Sequence, residues 1–514
     1  MRRGAIAILG ALAMVSALVT TPGLAAPPVD SSALRQAVTL QGVREHQKAF
    51  QQIANRNDGI RLAGTEGYDD SADYVAGRLE SAGYVVTRQP FDFAFFQELA
   101  TPELDRVSPE PKAYVAGEDF FTMQYSGSGE PTAPLQAVDV VIPPGATANT
   151  STSGCEASDF AAFVSGNVAL IQRGTCTFFD KALNAQDAGA SGVIIFNEGQ
   201  AGRTDAILGT LGSPDFTIPV VGASFALGEE NHNLLQSGPV TMHMFSSTLS
   251  EIRTTENVIG ETAGGNPDRT VVVGAHLDSV AEGPGINDNG SGTGAILEIA
   301  EELAELGIEP ANKLRFAFWG AEEEGLLGSE FYVSQLTRQQ IGDIALNLNF
   351  DMLGSPNFVR FVYDGDGSDT PIRGPAGSDA IEDVFLDYFA GQGLPVEATA
   401  FDGRSDYGPF IAVGIPAGGL FSGAEVIKTP EQVAVYGGIA GAQYDPCYHQ
   451  ACDTFKGSGS GNGATAPGLG LVVLDQFSDA AAHAVLVFAM TQSDVSGTNR
   501  GSVHTDFRGQ FARR

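Results

Sequence analysis

The sequence predicts an α/β protein, a mixed but mainly parallel sheet flanked by helices, with a small β-rich α+β unit set inside it. Three observations lead there. From Ile252 onward, apolar strand-length runs alternate with helix-period segments: TVVVGAHLDS, GTGAILEIAEELAELG, KLRFAFW, SEFYVSQL and IALNLNFDMLGS. That alternation builds parallel strands covered on both faces by helices. Between Asp139 and Phe245 the pattern becomes short β runs (VDVVI, NVALIQRG, GVIIFNEG, IPVVGAS) with one helix over 178–190. Finally, 514 residues exceed one ordinary domain, so two cores are expected.

Taken in order, the chain opens like an export signal. Arg2 and Arg3 precede an apolar core over 5–19, and TTPGLAA offers small-residue cleavage sites. That core is too short to span a bilayer comfortably. Residues 1–26 are therefore expected to be a signal peptide and the mature protein to be secreted. Residues 31–82 carry helical periodicity, with Tyr74, Val75 and Leu79 on one face and Gly83 as a stop. YVVTRQPFDF reads as the next strand. Composition shifts to Pro, Ser and Gly between Thr101 and Thr152, where the smaller unit begins. The expected division is residues 31–115 as the first part of the large domain, 116–250 as the insert, 251–493 as the remainder, and 494–514 as a loose tail.

Charge and cysteine content narrow the partners. The net charge of −34, from 28 basic and 62 acidic residues, excludes a basic face for nucleic acid or an anionic membrane. With the signal removed no membrane partner is expected. The oligomeric state is open, and a monomer is compatible with the sequence. Four cysteines in an exported chain should pair. Proximity gives Cys155–Cys176 and Cys447–Cys452, and the absence of CxxC spacing disfavours a metal site.

Chemistry concentrates where strands end. TVVVGAHLDS ends in His276 and Asp278, KLRFAFW runs into Glu322, Glu323 and Glu324, and LNLNFDMLGS carries Asp351. GPGINDNGSG adds Asp288 before a helix, and DPCYHQACDT adds Tyr448 and His449. Sites in open α/β sheets form at the carboxyl ends of strands. Singly, such a histidine is an ordinary surface residue, the aspartate a helix cap and the glutamates a solvated turn. Together, imidazole and carboxylate without thiolate suit zinc in a catalytic site, with enough ligands for two ions if one carboxylate bridges.

The motifs HLDS, GPGINDNGSG, WGAEEEGLLGS, NFDMLGS and YHQACD, in this order, resemble those of the di-zinc aminopeptidases of the M28 type. The stretches GCEASDF, NVALIQRGTCTFFDKALNAQDAGASGVIIFNE and IPVVGAS resemble a protease-associated (PA) domain. The resemblance implies a zinc exopeptidase fold with two zinc ions as cofactors. One ion would be held by His276, Asp288 and Asp351, the other by Asp288, Glu323 and His449. Glu322 matches the general base, Asp278 the carboxylate that orients His276, and Tyr448 the group that steadies the tetrahedral intermediate. Arg404 and Asp406 match residues around the substrate cleft, and Phe421 part of the first side-chain pocket. Glu324 falls outside the motif and is expected to be a solvated neighbour. The implied function is a secreted metalloaminopeptidase acting on peptide or protein N-termini, with large apolar first residues such as leucine preferred. The alternatives are a metallocarboxypeptidase of the same clan, for which the catalytic half is short of cations, and a non-catalytic binding protein on the same architecture.

Overall fold

The computed structural model describes residues 29–457 and 468–492. The expected signal at 1–26 and tail at 494–514 lie outside the described residues. The chain begins with three helices, α1 (Ser32–Ala37), α2 (Leu40–Arg56) and α3 (Glu66–Ser81). The Thr39 hydroxyl caps α2 by accepting the Gly42 N–H at 3.1 Å. Its buried stripe of Val43, Phe50, Ile53 and Ala54 follows the helical period.

A long strand, β1 (Val85–Ser108), leaves this body and leads to a short β2 (Lys112–Ala113). The sequence predicted a strand only to Phe93; the observed one runs 24 residues. Its extension is charged and half-exposed and lacks a strong apolar pattern. Antiparallel pairing with a distant partner, β8 (Thr241–Glu261), supplies the missing stability, from Val85↔Glu261 to Ser108↔Thr241. This ribbon belongs to both parts of the molecule, which therefore share one continuous sheet.

The insert at the far end contains β3 (Phe120–Thr122), β4 (Thr132–Val138), β5 (Val168–Gln172), α4 (Phe178–Asp187), β6 (Gly192–Phe196), β7 (Val220–Ala223) and α5 (Phe225–Leu235). Strands β4 to β7 are parallel neighbours and β3 closes the edge antiparallel. Leu170 and Ile194 point into one apolar cluster, Ile171 and Ile195 into another, so both faces are covered. Two differences from the sequence reading stand out. The expected VDVVI strand is displaced toward the N-terminus as TAPLQAV, because pairing to β5 occupies Leu135–Val138 and leaves Val141 exposed. Helix α5 was not anticipated, since FALGEENHNLL carries Gly228 and two asparagines. Gly228 is needed there: a Cβ would lie 2.1 Å from the Phe196 ring.

The chain then returns to the body through β9 (Asn266–His276), α6 (Gly290–Glu305), β10 (Asn312–Trp319), α7 (Leu327–Ser334), α8 (Arg338–Asp343) and β11 (Ile344–Phe350). It continues with β12 (Phe361–Tyr363), α9 (Ser378–Gln392), β13 (Glu397–Thr399), α10 (Tyr407–Ala412), β14 (Ala417–Phe421), α11 (Pro430–Tyr436) and α12 (Leu469–Met490). The strand order is β13-β12-β14-β11-β9-β10-β8. Pairs around β9, β10, β11 and β14 are parallel, whereas β8 and β12 join antiparallel. The sheet is thus mixed and mainly parallel. Alternation divides β9 between two cores: Val271 and Val273 face α2, α6 and α12, and Val272 faces Trp319, Tyr332 and Phe410. Helix α12 is long and apolar enough to cross a membrane, but its residues Val473, Phe477 and Val485 are buried in this core.

Phe50 on α2 is fully buried, with its ring 5.6 Å from that of Tyr74 and under the Arg61 guanidinium at 5.0 Å. Phe50→Ala is expected to cost about 3–5 kcal/mol, read as a lower urea midpoint of the body.

Candidate active site

Because β9, β10, β11 and β14 run parallel, their carboxyl ends share one edge of the sheet. His276 closes β9 opposite Trp319 of β10, Glu322 and Glu323 lie in the turn beyond Trp319, and Asp351 follows β11. Asp288 stands two residues ahead of α6, and its peptide bond to Asn289 is cis. Tyr448 and His449 sit in the small loop closed by the Cys447–Cys452 disulfide; Cys155–Cys176 is the second disulfide and lies in the insert. Ala321, Leu326, Met352 and His449 all adopt left-handed φ of 52–63°. Such strain in non-glycine residues persists only where the surroundings enforce it, and here it flanks the clustered side chains.

Asp288 stands between two imidazoles, each of which also meets a second carboxylate. His276 Nε2 lies 3.2 Å from Asp288 Oδ1 and 3.4 Å from Asp351 Oδ1. His449 Nε2 lies 3.3 Å from Asp288 Oδ2 and 3.0 Å from Glu323 Oε2. Zinc bonded tetrahedrally at about 2.0–2.1 Å holds its ligand atoms about 3.3 Å apart. These histidine–carboxylate spacings suit zinc held beside His276 and beside His449. Asp351 Oδ1, the oxygen facing His276, is buried without a hydrogen-bond partner, as expected of an oxygen whose partner is a cation. Glu322 Oε2 stands back, 4.0 Å from His276 Nε2.

Electrostatics point the same way. Burial pushes Glu322 well above the carboxylate range, reinforced by Asp406, Glu323 and Asp351. Glu323 is pushed up to about 8, chiefly by burial and then by Asp288. Burial works against the charged form of His276, but the surrounding carboxylates outweigh it and raise the imidazole well above its ordinary value. His449 is raised to about 10 by Asp288 and Glu323, again against burial. Asp288 goes the other way despite its burial, held low by both histidines. Without a cation, the histidines must carry protons to neutralise the carboxylates.

Asp278, expected to orient His276, holds a neighbouring turn instead, and several further holding residues were not visible in the sequence. The Asp278 carboxylate accepts the N–H of Glu322 and of Glu323, each at 3.2 Å, and so fixes the turn that presents both. Its distance to His276 Nδ1 is 3.6 Å, too long for a hydrogen bond. Asp453 accepts the N–H of Asn287 at 2.8 Å and of Asp288 at 2.9 Å. Asp445 accepts from the Asn287 side chain at 2.6 Å. Asn289 caps α6 and also binds Phe350 O and Met352 N–H, tying that helix to the end of β11. Ser405 donates to Asp351 Oδ2 at 2.6 Å, leaving the other oxygen for a cation. Fully buried Arg61 donates to the carbonyls of Leu277, Pro284 and Gly285, which brackets the His276 and Asp288 segments. Polar residues bonded to main chain this far away have no local signature.

The softer expectations fare differently. A cavity of about 80 Å³ beside the cluster is lined by Met352, Tyr363, Arg404, Phe421, Ala424 and Tyr448. Arg404 Nη1 pairs with Glu425 at 2.8 Å, and Nη2 lies 3.4 Å from the Tyr448 hydroxyl. Burial and nearby carboxylates raise the Tyr448 phenol, so it stays a donor. Asp406 is fully buried and lies beneath the site rather than on the cleft wall: it immediately precedes α10, whose first turn packs inward. Glu324 is also a correction. It is half-buried rather than solvated, and burial pushes it up to about 7, with Asp278 and Glu282 adding to the shift.

Comparison with known proteins places the chain in a family. The sequence profile of peptidase family M28 matches residues 257–464, and that of the PA domain matches residues 132–230. An aminopeptidase of Pseudomonas aeruginosa strain PAO1 is 46% identical over 445 residues, 84% of this chain and 81% of the relative. Leucine aminopeptidase 2 of Trichophyton rubrum is 39% identical over 430 residues, 83% of this chain and 82% of the relative. Among solved structures, a zinc aminopeptidase from Bacillus subtilis aligns with TM-score 0.55 and 25% identity, covering 89% of this chain and 97% of that one. An aminopeptidase from Aneurinibacillus sp. strain AM-1 shares the fold with TM-score 0.62 at 24% identity, covering 91% and 98%.

Metal must displace protons from His276 and His449, whose raised values keep them protonated at neutral pH. Zinc affinity is therefore expected to be higher at pH 8 than at pH 6, measured by competition with a chromophoric chelator. Asp453→Ala strands two buried N–H groups; it should cost about 1–3 kcal/mol of stability and weaken zinc binding about 10–100-fold.

Proposed function

The chain belongs to peptidase family M28 and is a zinc-dependent aminopeptidase; we propose that it works with two zinc ions bridged by Asp288 and prefers large apolar first residues. The observation that carries this reading is Asp288 standing between His276 and His449, each imidazole also meeting a second carboxylate, at separations of 3.0–3.4 Å. His276, Asp288 and Asp351 would hold one ion, and Asp288, Glu323 and His449 the other. When bound, the ions supply Lewis acidity, which makes an attacking water easier to deprotonate and polarises the scissile carbonyl.

The remaining work belongs to the chain. Glu322 takes the proton from the attacking water and delivers it to the leaving amine. Its burial beside other carboxylates suits a base that must hold a proton between the two steps. The Tyr448 hydroxyl donates to the oxygen that gains charge in the transition state. The substrate's α-ammonium meets a carboxylate-rich wall that includes Asp351 and Asp402. A carboxypeptidase needs a free cation for the substrate carboxylate. Arg404 is the one Arg or Lys lining this cavity, and it is already neutralised by Glu425, which favours binding of the amino end.

The first side chain enters between Met352, Tyr363 and Phe421. Phe421 is backed by Phe361 in a stacked pair at 6.0 Å, a surface suited to leucine-sized groups. Secretion is part of the proposal, supported by the apolar segment at 5–19 and by the two disulfides.

Leucine p-nitroanilide should be hydrolysed and its N-acetylated counterpart should not. Chelation should abolish activity, and zinc should restore it with two ions bound per chain. Glu322→Gln should lower kcat by about 10²–10⁴ while both ions remain bound. A fully loaded variant as active as the native enzyme would remove Glu322 from the mechanism.

A further inference from the structure

The cleft continues beyond the pocket for the first residue. From Glu322, Glu323, Tyr448 and His449, a second cavity of about 570 Å³ opens. Its far wall is apolar: Leu326 and Val333 come from the α7 segment, and Pro409, Ala412 and Val413 from the α10 segment. It shares Glu323, Gly325, Glu330 and Ser334 with a third cavity of about 700 Å³. The third lies between α7 and the insert, and its outer side is built by Asp92 of β1 with Gln124, Tyr125 and Thr210 of the insert. The Tyr125 hydroxyl donates to Ala94 O at 3.2 Å, fastening that wall to β1.

We infer that the second and third cavities form one groove for the peptide beyond the scissile bond, the second residue's side chain packing on α7 and α10 and the following residues running between α7 and the insert. This rests on the proposed hydrolytic reading, because that reading fixes where the scissile bond lies. The first-residue cavity holds Asp288, Asp351 and Phe421 and meets the second along Glu322, Glu323, Arg404, Tyr448 and His449. The second reaches none of Asp288, Asp351 or Phe421 and continues instead to α7 and α10. A peptide whose first side chain is seated by Phe421 can therefore run on past Glu323 into it. Extended chain advances about 3.3–3.6 Å per residue, so three residues beyond the bond cover about 10 Å and bring the insert into reach.

The lining dictates the preference. An apolar wall of five residues rewards an apolar second side chain over glycine through buried area. Apart from Glu323, assigned to the metal, and Glu324, raised by burial to about 7, the third cavity presents Asp92 and Glu330 and, among the described residues, no arginine or lysine. It favours a basic residue at the third position and repels an acidic one, an effect that salt screens. The insert thus acts as a specificity element of the cleft, and single-residue amides never report on it.

The test measures leucine release from peptide pairs. For the native, zinc-loaded enzyme, kcat/KM for Leu-Leu-Ala should exceed that for Leu-Gly-Ala by about tenfold or more. Leu-Ala-Arg should exceed Leu-Ala-Glu severalfold at low salt, with the margin shrinking as salt rises. Paired substitution V333S with V413S should collapse the first ratio, and Val333→Ile should preserve it. E330Q with D92N should collapse the second ratio alone. Equal rates within both native pairs, or ratios untouched by these substitutions, would overturn the groove. Failure to release leucine from any substrate, leucine p-nitroanilide included, with two zinc ions bound, would instead overturn the proposed mechanism and take the groove with it.

Discussion

Crowding of buried negative charge at one sheet edge is the constraint on which the rest of the structure depends. Asp278, Asp288 and Asp406 are buried, and Glu322, Glu323 and Asp351 nearly so. Like charges this close in a poorly solvated pocket cannot all ionise alone. Two histidines offer partial relief as proton carriers, and divalent cations offer more. The arrangement is therefore a site held ready for metal, and its resting cost is carried by the remainder of the fold.

How the fold carries that cost is seen in the main chain around the cluster. Asp453 and Asp445 flank the Cys447–Cys452 loop and hold the Asn287–Asp288 backbone. The loop that supplies His449 thus also fixes the position of Asp288. Arg61, from the segment between α2 and α3, clamps the ends of the two segments that carry His276 and Asp288. Asn289 joins the start of α6 to the end of β11. Each support spans distant parts of the chain, so the site is rigid only once the whole body has assembled. The left-handed residues beside the ligands are the local mark of that enforcement.

The insert fits the same logic from outside. It leaves the body on the β1–β8 ribbon and carries its own two-sided core. It can therefore vary without disturbing the ligands, yet the ribbon returns it to within a few residues' reach of the turn bearing Glu322 and Glu323. The clustered edge is thus bordered by a wall that folds around its own core.

The parallel sheet was legible because buried strands such as VVVGAH and IALNLNF are continuous apolar runs, and the clustered residues were legible because each sits at the end of such a run. The strand extension to Ser108, helix α5 and the shifted β4 were not legible, since partner strands and packing on Phe196 decided them. Nor was the burial of Asp406 and Glu324, which depends on what folds over them. By itself, then, the sequence determined which side chains could gather at the sheet edge, through strand order and short motifs. Only the tertiary structure decided their spacing, the clamps formed by Arg61, Asp453 and Asn289, and the groove beneath the insert. Those arise from contacts between residues more than sixty, and often more than a hundred and fifty, positions apart, which no local pattern can encode.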